Sequence, residues 1–163
     1  MFVLGIDPGL SRCGYCCLDS ARRPARVVAM GVIRTPPGDP VPTRLAELQA
    51  EVRALLDELS PAVVAIERVL FQNNVRTAMS VGQASGVVMA EAAGRGLAVV
   101  EYSPNQVKEA VAGDGSADKE QVGSMVRTLL GLAQVPRPAD VADAAAIALC
   151  HLAQSAQMIG SVR

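Results

Sequence analysis

Apolar positions along the chain switch between two periodicities, and the switches outline its elements. Residues 2–6, Phe-Val-Leu-Gly-Ile, form a short apolar run that stops at Asp7 and is broken by Pro8 and Gly9, the strongest turn punctuation a sequence carries. Tyr15–Leu18 and Arg26–Ile33 read as two further strands, separated by Asp19-Ser20 and Arg22-Arg23-Pro24. Three strands in immediate succession predict antiparallel hairpins. A proline-rich loop follows, from Pro36 to Pro42. Leu45, Leu48, Val52, Leu55, Leu56 and Leu59 then recur at helical spacing, with Glu47, Glu51, Arg53 and Asp57 opposite them. This predicts an amphipathic helix ended by Ser60-Pro61.

Ala62–Ile66 is an unbroken apolar run, the mark of a strand covered on both faces, and it delivers a second carboxylate, Glu67. Val75–Ala93 predicts a long helix in which Gly82, Ser85, Gly86, Ala90 and Ala93 allow close approach by another helix. Val81, Val88 and Met89 supply its apolar bulk, and Gly94 and Gly96 stop it. Leu97–Tyr102 is the fifth strand. Ser103-Pro104 starts another helical turn with proline at its first position, and Ala112–Ser116 is a loop. Asp118 caps a helix with Val122, Met125, Val126, Leu129 and Leu130 on one face. A last helix is expected from Asp140 to about Gln154, and a flexible tail over residues 157–163. The order predicts an α/β fold in one domain, residues 1–156. Its mixed five-stranded sheet has three antiparallel strands, then parallel ones, flanked by helices.

A chain of 163 residues can bury a substantial core. With 2% aromatic residues and no Trp, that core must be built from Ala, Val and Leu. Charge, Gly or Pro interrupts each apolar stretch before it could span a bilayer, and the N-terminus lacks the form of a signal peptide. A cytoplasmic location is expected. Cys13 and Cys16 form a Cys-x-x-Cys, but Cys17 adjoins it and Cys150 stands alone, so no second pair completes a zinc site. These thiols are expected to be structural. His151 is the only histidine, which leaves too little material for a histidine-based triad. A net charge of −1 opposes nucleic-acid binding by bulk positive charge. Two bound divalent cations would turn that −1 into +3.

The candidate chemistry lies in four acids. An ionised carboxylate in an apolar strand costs several kcal/mol unless it is paired. The basic residue nearest Asp7, Arg12, lies beyond the Pro-Gly break. Asp7 therefore needs a hydrogen-bonded turn or a cation. From Asp140 to Leu152, Asp140 and Asp143 are the only formal charges, and their i, i+3 spacing puts them on one face, continued by Ile147. Acids in a helix's first turn favour its dipole, but that leaves the absence of charge elsewhere on the helix unexplained. Neighbouring, poorly solvated carboxylates repel, and one takes up a proton unless a cation lies between them. Asp7, Glu67, Asp140 and Asp143 each begin or end an otherwise apolar element. Their oxygens suit Mg²⁺ or Mn²⁺ and not zinc. Two such ions about 4 Å apart can drive phosphodiester hydrolysis.

Several stretches resemble the signature blocks of the RuvC family of bacterial Holliday junction resolvases. They are Val3–Gly9, Ile66-Glu67-Arg68-Val69, Gly82-Gln83-Ala84, Ser103–Lys108, Met125–Leu130 and Pro138–Ala144. The resemblance runs almost end to end. It implies a ribonuclease H-like fold, a homodimer, two Mg²⁺ or Mn²⁺ ions per active site, and paired nicks at a four-way DNA junction. It also implies cooperation with the RuvA–RuvB branch-migration complex. The family's catalytic, metal-binding acids map onto Asp7, Glu67, Asp140 and Asp143, and its functional lysines onto Lys108 and Lys119, the only lysines here. Where the family pattern carries a stacking aromatic after the catalytic Glu, this chain has Leu70, with Phe71 next. Either Leu70 wedges between bases or Phe71 takes the role. Asn74 and Arg76 complete the candidate DNA contacts.

Two other readings compete. ATPases of the actin, heat-shock chaperone and sugar-kinase group also end their first strand in an Asp-x-Gly turn. They close two lobes around the nucleotide, for which 163 residues are too few, and no second Gly-rich phosphate loop is present. A non-catalytic junction-binding paralogue should lack one or more of the four acids.

Overall fold

Three strands follow one another directly: β1 (Phe2–Asp7), β2 (Arg12–Asp19) and β3 (Arg26–Arg34). The computed structural model describes residues 1–70 and 75–160, with side chains for 1–70 and 77–156. After β3 come α1 (Val41–Leu59), β4 (Val63–Glu67), α2 (Val75–Gly94), β5 (Ala98–Tyr102), α3 (Pro104–Ala112), α4 (Lys119–Leu130) and α5 (Ala139–Gly160). The five strands form one sheet in the order β3-β2-β1-β4-β5. β1–β2 and β2–β3 are antiparallel, and β1–β4 and β4–β5 are parallel, as the helical crossovers require. This is the expected mixed sheet. β2 begins earlier than the expected Tyr15, because Gly14 pairs with Asp7 on one side and Arg12 with Arg34 on the other.

Strand alternation divides the core into two layers. Leu4, Ile6, Cys13, Cys17, Val64 and Ile66 point to one face and pack against Leu48, Val52 and Leu56 of α1 and Ala84 and Val88 of α2. Val3, Cys16, Leu18 and Ala65 point to the other, against Val107 of α3, Val126 of α4 and the run Ala144–Ala148 of α5. All four cysteines are buried and unpaired. Burial pushes the Cys13 and Cys16 thiols up to about 12, so they remain inert, protonated packing groups. On α4 the stripe that reaches the core is Val122, Val126 and Leu130. Leu129, one position aside, is 39% exposed.

The seat of α5 depends on two glycines. A Cβ at Gly5 would strike the backbone of Ala144 and Ala148, and one at Gly14 the backbone of Asp140. The helix therefore lies directly on β1 and β2, and its alanines are the largest side chains that fit much of the contact. α5 also runs to Gly160, past the expected end near Gln154. No Pro or Gly intervenes to stop it, and Ala, Gln and Met favour helix. The expected tail from residue 157 thus starts as helix, and 161–163 lie outside the described residues. Farther along α5, His151 Nδ1 and the Tyr102 hydroxyl share a 2.8 Å hydrogen bond, and Ser155 Oγ lies 3.2 Å from Nε2. This places the single histidine in the packing of β5 on α5. Burial lowers its pKa.

On the outer face, α1 and α2 are joined by a polar network. Glu91 accepts from Gln49 (2.6 Å), Arg53 (2.8 Å) and Arg95 (2.6 Å), and Arg95 also reaches Asp57 at 2.9 Å.

Because the close seat of α5 leaves no room for a methyl group, Gly5→Ala should destabilise the protein by about 1–3 kcal/mol, the usual cost of overpacking. A denaturant titration checks this, and a midpoint equal to the wild type's would show that α5 can back away from the sheet.

Candidate active site

Asp7 and Glu67 end neighbouring parallel strands whose register pairs Ile6 with Ile66. The alternation that buries both isoleucines on the α1–α2 face turns the next residue of each strand toward α5. Asp143 lies on α5 one turn in from its start, so three of the four acids line a single cleft of about 310 Å³. The fourth, Asp140, lies in the first turn of α5, on the side toward β2. There it meets Arg12, whose Nε approaches Asp140 Oδ2 to 3.4 Å. The contact lacks hydrogen-bond geometry, and that oxygen is buried without a hydrogen-bond partner.

Two capped helices supply the lysines. Ser103 and Gln106 form a reciprocal capping box at the start of α3, and Asp118 and Gln121 form another at α4. The expected cap at Asp118 is thus present, and it puts Lys119 at the first helical position. Lys119 Nζ donates to Asp143 Oδ2 at 2.9 Å, and Lys108, on α3, lines the same cleft. The Lys119 side chain is 79% exposed, so as an ion pair it is worth under about 1 kcal/mol. Stability does not account for its position.

Electrostatics here oppose the fold. Asp7 is raised to about 8, mainly by burial and then by Glu67, Asp143 and Asp140, with Lys119 relieving part of the effect. Glu67 is also raised, by burial and by Asp143, with Lys119 and Lys108 acting the other way. Among the described residues, no three Asp, Glu, His or Cys side chains stand as a ready-made metal cage. The acids form a cluster that repels itself, with all-oxygen donors and one orphaned buried oxygen. Such a donor set fits hard divalent cations that would draw it together.

A second groove, of about 590 Å³, shares Glu67, Pro104 and Lys108 with the cleft and leads to Leu70. Leu70 is 45% exposed, at the place where a junction-contacting side chain was expected. Phe71 and Asn74 lie outside the described residues, and of Arg76 only the backbone is described, within α2.

The family model described as "Crossover junction endodeoxyribonuclease RuvC" matches residues 3–151. The chain belongs to the RuvC family. A RuvC of Leifsonia xyli subsp. xyli is 54% identical over 150 residues, which cover 91% of this chain and 72% of that protein. The structure of Thermus thermophilus RuvC superposes with a TM-score of 0.87 at 39% identity, covering 97% of each chain. The same protein in complex with Holliday junction substrate gives 0.90, over 97% of this chain and 96% of that one. RuvC membership confirms the ribonuclease H-like sheet expected from the sequence.

Sequence reasoning missed two features of this RuvC-family site. It noted Arg12 as the base nearest Asp7, but the structure gives Arg12 to Asp140. It also gave no sign that Arg44 of α1 is buried, at 8% exposure. An arginine on the flank of a leucine stripe reads as a solvated charge, and only its partners, Thr35 and Ser11, show otherwise.

The raised pKa of Asp7 has a consequence for stability without metal. In the unfolded chain Asp7 ionises near 3.8, and in the fold at about 8. The stability that neutral Asp7 contributes is therefore present below about pH 4 and is lost as pH rises through 8. In chelator, Asp7→Asn should melt above the wild type at pH 8, and the difference should shrink toward pH 4. Melting curves across that range check it, and a pH-independent difference would contradict it.

Proposed function

We propose that this RuvC-family chain is a structure-specific endonuclease that resolves four-way DNA junctions by symmetric paired nicks, in recombination and repair. The observation that carries the reading is the convergence of four carboxylates at one end of the sheet, in a chain that the family model matches over residues 3–151. The match leaves no ground for the ATPase reading. The presence of all four acids counts against a non-catalytic paralogue.

Asp7, Glu67, Asp140 and Asp143 would hold two Mg²⁺ or Mn²⁺ ions. The chemistry these supply when bound is activation of a water for attack on phosphorus and stabilisation of the leaving oxygen. The chain's own residues do the rest. Lys119, on its exposed stem, would hold a phosphate oxygen, with Lys108 beside it on the cleft wall. The apolar residues Val107, Val122 and Ile147 line the cleft with them and keep its dielectric low, which strengthens each charge interaction. Leu70, with Phe71, Asn74 and Arg76 beyond it, would meet the junction itself. Cooperation with RuvA–RuvB is proposed on family membership alone.

A mobile four-way junction incubated with the protein should be nicked with Mg²⁺ or Mn²⁺ and not with chelator. Asp7→Asn, Glu67→Gln, Asp140→Asn and Asp143→Asn should each abolish cleavage and retain junction binding. Lys119→Ala should lower the slope of log affinity against log salt by about one. Undiminished cutting by Asp143→Asn would refute the assignment.

Homodimerisation belongs to the same reading. A junction offers two equivalent strands to cut, and a two-fold pair of subunits presents two clefts together. The outward face of α2 supports this. Met79, Gly82, Gly86, Ala90 and Ala93 are all exposed along it, with Met79 60% exposed. A Cβ at Gly82 or Gly86 would meet nothing, so another helix could approach closely. Ser85, expected in this stripe, turns inward and is 2% exposed. Gly86→Glu should yield monomers that nick singly or not at all, as read by analytical ultracentrifugation beside a cleavage assay. Dimers at wild-type strength would move the seam elsewhere.

A further inference from the structure

Next to the acids, on the β2–β3 side, stand three arginines, of which only Arg12 meets an acid among the described residues. Arg12 and Arg34 are directly paired across β2 and β3 and point to the same face, where like charges oppose each other. Both are exposed. From the opposite face the buried Arg44 reaches the same corner. Its Nε donates to Thr35 Oγ1 at 3.0 Å and an Nη donates to Ser11 Oγ at 2.7 Å. Thr35 and Ser11 are the chain neighbours of Arg34 and Arg12, and Thr35 N donates to Ser11 O at 3.3 Å. Hydroxyls satisfy the donors of a guanidinium but do not neutralise it. Among the described residues the one acid in contact with these three arginines is Asp140, at 3.4 Å from Arg12.

We propose that Arg12 and Arg34, backed by Arg44, form a phosphate-binding ledge that grips the DNA backbone of a junction arm beside Asp140. The inference rests on the junction-resolving function above and adds a second DNA contact to it. In the strand order β3-β2-β1-β4-β5, the ledge lies on one side of Asp7, and Glu67, with Lys108 and Lys119, on the other. A strand crossing the cleft is thus held at both ends. Guanidinium groups match phosphate in a bidentate geometry, and a bound phosphate removes the repulsion between Arg12 and Arg34. Arg44 stays buried; it adds positive potential from below and fixes the two hydroxyl-bearing residues that hold the corner.

The test is binding of a labelled immobile four-way junction in chelator across a salt series. Arg12→Gln and Arg34→Gln should each weaken binding about tenfold near 0.1 M salt, a charge-assisted contact being lost. Each should also lower the salt slope by about one. Arg34→Lys should restore the slope. Removing one of two facing like charges, Arg34→Gln should melt no lower than the wild type. A double variant with wild-type affinity and slope, an Arg34→Lys that fails to restore the slope, or an Arg34→Gln that melts lower would each overturn the ledge. A wild-type protein that nicks the junction while the double variant binds normally removes the ledge alone. A wild type that neither binds nor nicks it removes the junction-resolving function, and the ledge with it.

Discussion

Repulsion among carboxylates that a helix presses together is the constraint on which the rest of this structure depends. α5 lies directly on β1 and β2, because Gly5 and Gly14 let its backbone rest on theirs and its alanines fill the contact. Asp143 is thereby held over the ends of β1 and β4, where Asp7 and Glu67 emerge, and Asp140 over Gly14 of β2. Burial first, and these neighbouring carboxylates second, raise Asp7 to about 8 at the centre of the site. Two apolar layers, one on each face of the sheet, supply the stability that the cluster works against. Local strain of this kind is what functional sites impose on otherwise self-consistent folds.

The outer layer shows the same chemistry resolved in the opposite way. Glu91 is as central to the α1–α2 contact as Asp7 is to the site. Yet Arg53, Arg95 and Gln49 surround it and hold its carboxyl down to about 2. Where a carboxylate serves packing, the fold supplies guanidinium partners. At the site, among the described residues, the contacting bases are Lys119, on an exposed flexible stem, and Arg12 without hydrogen-bond geometry, with Lys108 acting on Glu67 from the cleft wall. Lys119 and Arg12 can leave their acids without disturbing the core.

Position on the sheet also divides the work. The carboxyl ends of β1 and β4, with the capped starts of α3 and α4, build the cleft. The uncrowded face of α2 is left for a second subunit in the proposed assembly. The arginines at the start of β2 and the end of β3 stand on the far side of Asp140 from the cleft. Acids outnumber bases in the cleft, and arginines outnumber acids on the β2–β3 side, the arrangement suited to taking up a metal and a phosphate together.

The periodicity of the chain by itself determined the strands, the helices and their order, because apolar spacing reports which face of each element is buried. It also marked Asp7, Glu67, Asp140 and Asp143, since each is a lone charge at the edge of an apolar run. Their shared placement and oxygen chemistry pointed to one site, and the family resemblance gave them their catalytic roles. Only the tertiary structure decided the finer matters: that Arg12 faces Asp140, that Arg44 is buried, that Ser85 turns inward and that α5 reaches Gly160. These are contacts between residues far apart in the chain, or choices between faces a few tens of degrees apart on a helix. Local pattern carries no record of them, because packing against the rest of the molecule sets which partner a long side chain meets.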